Sequence, residues 1–209
     1  MNYSKGEMHI HSLFPTAIGE TVRIVTSEEQ QFFAELLNKP VKENIGNTFT
    51  EENHVLDNTR LSNLKNDLTD ITNEYFQKVY RPTNDVEIYI TISWVNYTKQ
   101  GEFHHNHCHG NSIISGVYYI DTDDDDTITF ETPFKFLSGF HGLKIKAKDY
   151  NLWNSEEWWF KTPKNNVLLF PSSMMHRVDS TTNKGVRTSL AFNTFIKGTI
   201  NTGLVELTL

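Results

Sequence analysis

Four histidines lie within six positions of the segment GEFHHNHCHG: His104, His105, His107 and His109. Neutral imidazole is a common metal ligand, and two histidines at i and i+2 on a strand point to the same side. The segment offers two such pairs, His105 with His107 and His107 with His109. Either pair can place two ligands on one metal ion, and an open catalytic centre usually takes a third ligand from elsewhere.

A candidate for the third ligand lies much later in the chain, in LLFPSSMMHRV, where His176 follows a Pro-Ser turn. The strand-like segment RTSLAFN comes next, and alternation places Arg187 and Ser189 on one of its faces. A buried arginine needs an anion, and its planar guanidinium suits a carboxylate. An open metal beside such an arginine suggests a keto acid that chelates iron. The simpler alternative for Arg187 is an ion pair with an acidic side chain of the chain itself.

These segments resemble the 2-oxoglutarate/Fe(II)-dependent oxygenases, a family of double-stranded β-helix enzymes related to the prolyl hydroxylases. WVNYTKQGEFHHNHCHGNSIISGVYYI is similar to the family's W-x-N, G-[DE]-[FY], H-x-H and S-G-V-Y-Y elements. LFPSSMMHRV and RTSLAFN resemble its later F-P-x-x-x-x-H and R-x-S-x-x-F-N motifs, and SLFPTAIGE resembles its opening segment. The resemblance runs from Ser12 to Phe195, and Phe134–Asn154 matches less well.

The register of the resemblance chooses among the histidines. It implies that His107 and His109 form the metal pair, with His176 as the third ligand and all three as catalytic residues. His104 and His105 are then flanking residues.

The resemblance also implies a binding site for the co-substrate. Arg187 is expected to anchor its far carboxylate, with Ser189 beside it. Tyr119 occupies the place of a strand tyrosine that helps to hold the co-substrate in related enzymes, and Asn96 is expected to contact it from the preceding strand.

The function implied is that of an Fe(II)- and 2-oxoglutarate-dependent dioxygenase that hydroxylates a C–H bond and releases succinate and CO₂. One departure is that His109 stands where most of the wider superfamily carries Asp or Glu. Three neutral imidazoles leave the full double charge on the ion, and three-histidine sites also hold Zn(II) well. Two alternatives therefore stay open: a cupin-like three-histidine zinc or iron enzyme that does not use 2-oxoglutarate, and an inactive binding module on the same barrel.

The elements that must position these residues are helices followed by many strands. SEEQQFFAELLNK predicts a helix that Ser27 caps with Gln30 reaching back, and RLSNLKNDLTDITNEYFQKVYRP predicts a second. A period of two follows, beginning with one strand face that carries Val86, Ile88, Ile90, Ile92, Trp94 and Asn96. The expected fold is α+β and mainly β, a double-stranded β-helix (jelly-roll or cupin-like). We expect a single domain over 1–209, with helical support in 1–85 and the β core in 86–200.

Two other segments carry weaker signals. Phe134–Asn154 reads as a long insertion between strands, and such loops are often lids or binding loops. The acidic run DTDDDD, Asp121–Asp126, lacks the glycine and terminal glutamate of a calcium loop. It predicts a solvated hairpin loop between two strands.

Composition limits the remaining function classes. The formal net charge is −7 and no basic stretch is present, so nucleic acid is not an expected partner. Apolar runs are only strand length, the N-terminal segment has no signal-peptide core, and the one cysteine, Cys108, excludes an intrachain disulfide. We expect a cytoplasmic protein without a membrane partner. A protein side chain, a peptide and a small metabolite all stay open as substrates, and a homodimer is compatible with the sequence.

Overall fold

The computed structural model describes residues 6, 8–83, 85–132, 146–182 and 184–209. Two α-helices are found in these ranges, α1 (Ser27–Leu36) and α2 (Ser62–Val79). The strands, in chain order, are β1 (Gly19–Val22), β2 (Val41–Glu43), β3 (Thr48–Thr50), β4 (Val86–Thr98), β5 (His104–His107), β6 (Ile114–Asp121), β7 (Thr127–Glu131), β8 (Glu157–Lys161), β9 (Asn166–Pro171), β10 (His176–Val178), β11 (Arg187–Ile200) and β12 (Leu207–Thr208).

The first helix begins at Ser27, and its cap, Thr26, lies one residue earlier than predicted. Thr26 has an extended backbone, and its hydroxyl accepts a hydrogen bond from the Glu29 amide at 3.2 Å. The Glu29 carboxylate accepts one from the Thr26 amide at 2.9 Å, which completes a capping box. The predicted cap by Ser27 and Gln30 is therefore wrong, because the same pattern is satisfied one position earlier with a carboxylate instead of an amide.

The strands form two antiparallel sheets. The larger sheet has the order β1-β9-β6-β11-β4-β3-β2, with β12 added along β11, and the smaller has the order β5-β10-β7-β8. Three strands of the larger sheet, β1, β2 and β3, come from the N-terminal segment for which the sequence predicts helical support. These strands have three or four residues each, and β1 and β2 are largely exposed, so they carry little of the alternating apolar pattern by which strands are predicted.

Both faces of the larger sheet are covered, and its strands alternate between two cores. Tyr118 and Ile120 of β6 pack with α1 and α2 on one face. Val117 and Tyr119 pack with Ile128 of β7 in a second cluster, which lies between the two sheets. Because each sheet residue faces one core or the other, the segment from 114 to 120 is buried throughout.

A β-bulge divides β4 into two parts. Asn193 of β11 pairs with Ile92, but the next residue, Thr194, pairs with Ile90, so Thr91 is an extra residue in the ladder. One extra residue reverses the faces of the strand beyond it. Ile90 accordingly packs against the helix-side core and Trp94 against the cluster between the sheets. The predicted single face from Val86 to Asn96 is therefore wrong.

The acidic run also differs from its prediction. It does not close a hairpin, because β6 pairs with β9 and β11 of the larger sheet, whereas β7 pairs with β8 and β10 of the smaller one. The run therefore crosses from one sheet to the other. Asp123, Asp124 and Asp125 are exposed as expected, but Asp126 is buried.

The predicted insertion Phe134–Asn154 lies largely outside the described residues, and its described part, 146–154, forms bends and turns. Neither of the two α-helices in the described ranges is long and apolar enough to cross a bilayer.

Candidate metal centre

Sheet pairing brings three distant histidines together. His107 ends β5 and pairs directly with His176, which begins β10, while His109 follows β5 in the loop that leads to β6. One nitrogen from each of these rings lies within 4.8 Å of the other two. The structure thus brings together the three histidines that the sequence selects, in an arrangement that can hold one metal ion.

The outer ring nitrogen of each histidine is already hydrogen-bonded. The Nδ1 atom of His107 lies 2.7 Å from the carbonyl oxygen of His105, and Nδ1 of His176 lies 2.9 Å from that of Met174. A carbonyl only accepts, so Nδ1 carries the proton and Nε2 keeps its lone pair. Nδ1 of His109 has an equivalent partner in the Asn193 Oδ1 atom at 2.7 Å. All three Nε2 atoms are therefore free to bind a metal, and such hydrogen bonds to the outer nitrogen are typical of histidines in metal sites.

Burial keeps these rings neutral. It is the main cause that lowers the pKa of His107, and it lowers the pKa of His109 to about 4 and that of His176 to about 3. The neighbouring imidazoles lower these values further, since like charges would repel. Neutral imidazole is the form that binds metal, so no proton has to be displaced near neutral pH.

Two residues that support His109 were missed by the sequence reasoning. Ser115 of β6 and Asn193 of β11 are cross-strand partners, and both place an oxygen 2.7 Å from Nδ1 of His109. The backbone amide of His109 also donates to the carbonyl of Ser172 at 2.8 Å. One signal was available, because Asn193 lies an even number of residues after Arg187 and so shares its face of the strand.

The predicted co-substrate residues form one row across three strands. Ser189 of β11 pairs with Asn96 of β4 on one side and with Tyr119 of β6 on the other. Paired residues share a face of the sheet, and Arg187 lies on the same face two positions earlier. These four side chains are buried and border the same pocket as the three histidines.

Several polar atoms in this row lack a partner. Across the described ranges, Nε and Nη2 of Arg187, the hydroxyl of Tyr119 and Oδ1 of Asn96 are buried without a hydrogen bond. Burial raises the pKa of Tyr119, so its hydroxyl is a neutral donor. Unsatisfied buried polar atoms are costly, and a group of them around one pocket is expected where a polar ligand binds.

The alternative proposed for Arg187 is present as well. Its Nε atom lies 3.8 Å from Oδ2 of Asp126, the buried acid of the acidic run. The distance is that of an ion pair but not of a hydrogen bond. Arg187 therefore has a charge partner and still has unused donors.

His104 lies closer to the site than the resemblance implies. Its ring stacks on His107 with centroids 4.3 Å apart, it borders the pocket, and its Nε2 atom lies 3.1 Å from Nδ2 of Asn44. A β-bulge between β5 and β10 permits this approach. His104, His105 and His107 form a second group with metal-ligand spacing, but the Asn44 amide donates to His104 Nε2 and occupies its lone pair.

Comparison with known proteins now adds to this geometry. Residues 92–193 match the family model described as "Putative 2OG-Fe(II) oxygenase". That range contains the three histidines, Arg187 and Asn193. This part of the chain is therefore similar to the 2OG-Fe(II) oxygenases.

Solved structures agree with this family in fold. HygX from Streptomyces hygroscopicus, with nickel, 2-oxoglutarate and hygromycin B bound, has 14% identity and a TM-score of 0.57 over 86% of this chain and 82% of that chain. The α-ketoglutarate-dependent epimerase SnoN from nogalamycin biosynthesis has 9% identity and a TM-score of 0.59, covering 91% and 81%. A Pseudomonas putida prolyl-4-hydroxylase has 12% identity and a TM-score of 0.50, covering 85% and 92%. These likenesses support the double-stranded β-helix. No curated protein matches the sequence.

The site fits the metal and co-substrate that the matched family implies. Three Nε2 atoms can hold Fe(II), and the open donors of Arg187 and Tyr119 suit a carboxylate. The family and the matched structures give no support to the zinc alternative.

Proposed function

We propose that this protein is a 2-oxoglutarate-dependent oxygenase, which uses O₂ to hydroxylate a C–H bond of its substrate and converts 2-oxoglutarate to succinate and CO₂. The proposal depends on one observation: three histidines whose ring nitrogens come within 4.8 Å of one another share a pocket with a buried guanidinium that has unused donors. The first group suits a metal and the second suits the far carboxylate of a keto diacid.

In this proposal His107, His109 and His176 hold Fe(II). The iron supplies the activation of oxygen, for which protein side chains have no equivalent. The protein fixes the three ligands through their outer nitrogens and keeps them neutral. Because no carboxylate joins this set, the ion keeps its full charge, which favours a dianionic co-substrate.

Arg187 binds the far carboxylate of 2-oxoglutarate. The open Nη2 atom and the Tyr119 hydroxyl are the donors available for it, and the Ser189 hydroxyl lies beside Tyr119 in the same row. Asn96, on the opposite side of Ser189, has an open acceptor and completes the polar wall of the pocket. These residues orient the co-substrate, so that its other end lies toward the histidines.

Apolar side chains close the pocket between its two polar ends. Trp94, Val117, Ile128 and Ala191 line it, and the Trp94 ring lies 5.7 Å from that of His109. A wall of this kind excludes water and strengthens the electrostatic interactions inside.

The direct test is to incubate the iron-loaded protein with 2-oxoglutarate and O₂ and to measure succinate. We expect succinate to form with wild-type protein and not with His176→Ala. Under anaerobic conditions, 2-oxoglutarate should add a charge-transfer band to the spectrum of the wild-type protein only. Absence of both signals in the wild-type protein would contradict the proposal and favour an inactive binding module.

The hydroxylation step needs its own readout. The matched structures include a prolyl-4-hydroxylase and an epimerase, which carry out different reactions on a shared fold. Candidate proteins, peptides and small metabolites can be incubated with the active enzyme and examined by mass spectrometry. Hydroxylation predicts a gain of one oxygen atom in step with succinate, whereas a turnover that leaves the product mass unchanged contradicts it.

A further inference from the structure

The buried acid of the acidic run has no part in the proposed chemistry. Asp126 is 5% exposed, although its neighbours Asp124 and Asp125 are exposed. Its Oδ2 atom accepts a hydrogen bond from the Asp123 amide at 3.0 Å, and its Oδ1 atom accepts one from the Thr181 hydroxyl at 3.4 Å. These contacts fix a carboxylate in the interior, where an unpaired charge is costly.

The positive charge of Arg187 compensates for the burial of the Asp126 carboxylate. Arg187 is 4% exposed, and the Oδ2 atom of Asp126 lies 3.8 Å from its Nε atom. At this distance the pair balances charge without using the donors of the guanidinium, because the carboxylate oxygens are bonded elsewhere. Nε and Nη2 remain without hydrogen-bond partners in the part of the chain that is described.

We propose that Asp126 is the resting counter-ion of Arg187 and limits the affinity of the pocket for the far carboxylate of 2-oxoglutarate. This inference rests on the proposed function, in which Arg187 binds that carboxylate. Before the co-substrate arrives, Asp126 is the carboxylate of the described residues that neutralises the buried guanidinium. Once it has bound, two carboxylates share one cation, and their mutual repulsion weakens binding.

Thermodynamic coupling makes the proposal testable. If Asp126 and the co-substrate compete for the same positive charge, removal of the Asp126 charge must destabilise the free protein and strengthen binding. Asp126→Asn is a suitable change, because its amide oxygen can still accept from the Asp123 amide and its nitrogen can donate to the Thr181 hydroxyl. The charge is then lost while the hydrogen bonds are kept. Asp125→Asn is the matched control, since Asp125 belongs to the same run and its side chain is 92% exposed.

Binding is measured by calorimetry on nickel-loaded protein with 2-oxoglutarate, and with pyruvate, a keto acid that lacks the far carboxylate. We expect Asp126→Asn to lower the dissociation constant for 2-oxoglutarate about fivefold or more, within the usual range of coupling between sites. Pyruvate binding should not change, and Asp125→Asn should match the wild type with both ligands. Unchanged or weaker 2-oxoglutarate binding by Asp126→Asn overturns the inference.

Stability of the free protein is the second readout. Asp126→Asn and Arg187→Gln each leave one buried charge unpaired, so both should unfold at lower temperature than the wild type. The double variant removes both charges of the pair, so neither is left unpaired. It should unfold at a higher temperature than either single variant. If the single effects simply add, Asp126 is not the counter-ion. This cycle also decides the matter if Asp126→Asn folds poorly, because the double variant must then recover the fold.

The same experiments separate this inference from the proposed function. If wild-type protein does not bind 2-oxoglutarate at all, the proposed function fails, whatever the stability cycle shows. If it binds and the Asp126→Asn protein binds no more tightly, only the role of Asp126 fails.

Discussion

The two polar ends of the pocket are completed in different ways. At the histidine end, each of His107, His109 and His176 has its outer nitrogen hydrogen-bonded to a protein oxygen. At the arginine end, the Arg187 guanidinium and the Tyr119 hydroxyl keep donors that have no partner among the described residues. Hydrogen bonds orient the imidazole rings at the histidine end. At the arginine end, the guanidinium is neutralised mainly by a nearby carboxylate.

This difference fits what each end is proposed to bind. A metal ion requires three lone pairs in a fixed arrangement, so the rings must be held before it arrives. A carboxylate brings its own acceptors, and the guanidinium therefore needs open donors and a nearby countercharge that does not use them. Changes at the histidine end should thus act on metal binding, and changes at the arginine end should act on co-substrate binding.

The largest effect is expected from removal of a metal ligand. His109→Ala should lower the affinity for Fe(II), or for nickel as a stand-in, by more than about 100-fold, beyond the usual effect of a supporting residue. His105→Ala is the matched control, because His105 belongs only to the second histidine group. Metal affinity can be measured by competition with a chelator. Loss of binding in His105→Ala and its retention in His109→Ala would assign the metal to the other group.

The next effect should appear at the arginine end alone. Arg187→Gln removes charge-assisted hydrogen bonds of about 1.5–3 kcal/mol, so we expect the dissociation constant for 2-oxoglutarate to rise about 10- to 100-fold. Metal affinity should stay within about twofold of wild type, because Arg187 gives no ligand to the ion. Calorimetry with each ligand in turn checks both statements. A large loss of metal affinity would show that the two ends are not independent.

A smaller effect is expected from a residue that orients a ligand without binding the metal itself. Asn193→Ala removes one of the two acceptors for Nδ1 of His109 and leaves Ser115 in place. We expect metal affinity to fall about tenfold, at the low end for a supporting residue. The ligand-field spectrum of the cobalt-substituted protein should also change, as the ring loses a fixed orientation.

Ser189→Ala is the control for this change, because Ser189 lies on the same strand at the other end of the pocket. It should leave the cobalt spectrum unaltered and affect only the binding of 2-oxoglutarate. An unaltered spectrum in Asn193→Ala would mean that Ser115 alone orients His109.

The two ends also differ in how far the sequence predicts them. The proposed ligands could be predicted because their spacing, together with a family resemblance, selects His107 and His109 out of four histidines. Alternation along β11 was enough to place Arg187 and Ser189 on one face of the strand. Asn193 lies on that same face. The contact between Asn193 and His109 was missed. It depends on the pairing of β11 with β6, and the sequence of neither strand predicts that pairing.

Other features were missed for related physical reasons. The bulge at Thr91 reverses the faces of β4, and nothing in a run of β-branched residues marks where one residue will be left out of the ladder. Asp126 reads as one more member of a solvated run, because its burial comes from a crossover between sheets and from the charge of Arg187. Local patterns thus predict most of the strands and the histidines that come together, whereas long-range pairing determines which polar residues are buried.

The last prediction concerns pH and tests the histidine end in the metal-free protein. Burial lowers the pKa of His176 to about 3, of His109 to about 4 and, with the repulsion of neighbouring rings, of His104 to about 2. An unfolded histidine titrates near pH 6.5, so between about pH 6.5 and 4 the unfolded chain binds more protons than the folded one. The free energy of unfolding is therefore highest above about pH 6.5, and it decreases as the pH falls below that value. Each histidine that stays neutral in the folded protein lowers the free energy of unfolding by up to about 1.4 kcal/mol per pH unit, which lowers the melting temperature by a few degrees.

Thermal unfolding at pH 7.5 and 5.5 should show this fall in melting temperature. His104→Asn, which can keep a hydrogen bond to Asn44, should make the fall smaller by the contribution of one histidine. A melting temperature that does not fall with pH in the metal-free protein would mean that the rings take up protons without leaving the folded state. The histidine end would then lack the fixed neutrality that distinguishes it from the arginine end.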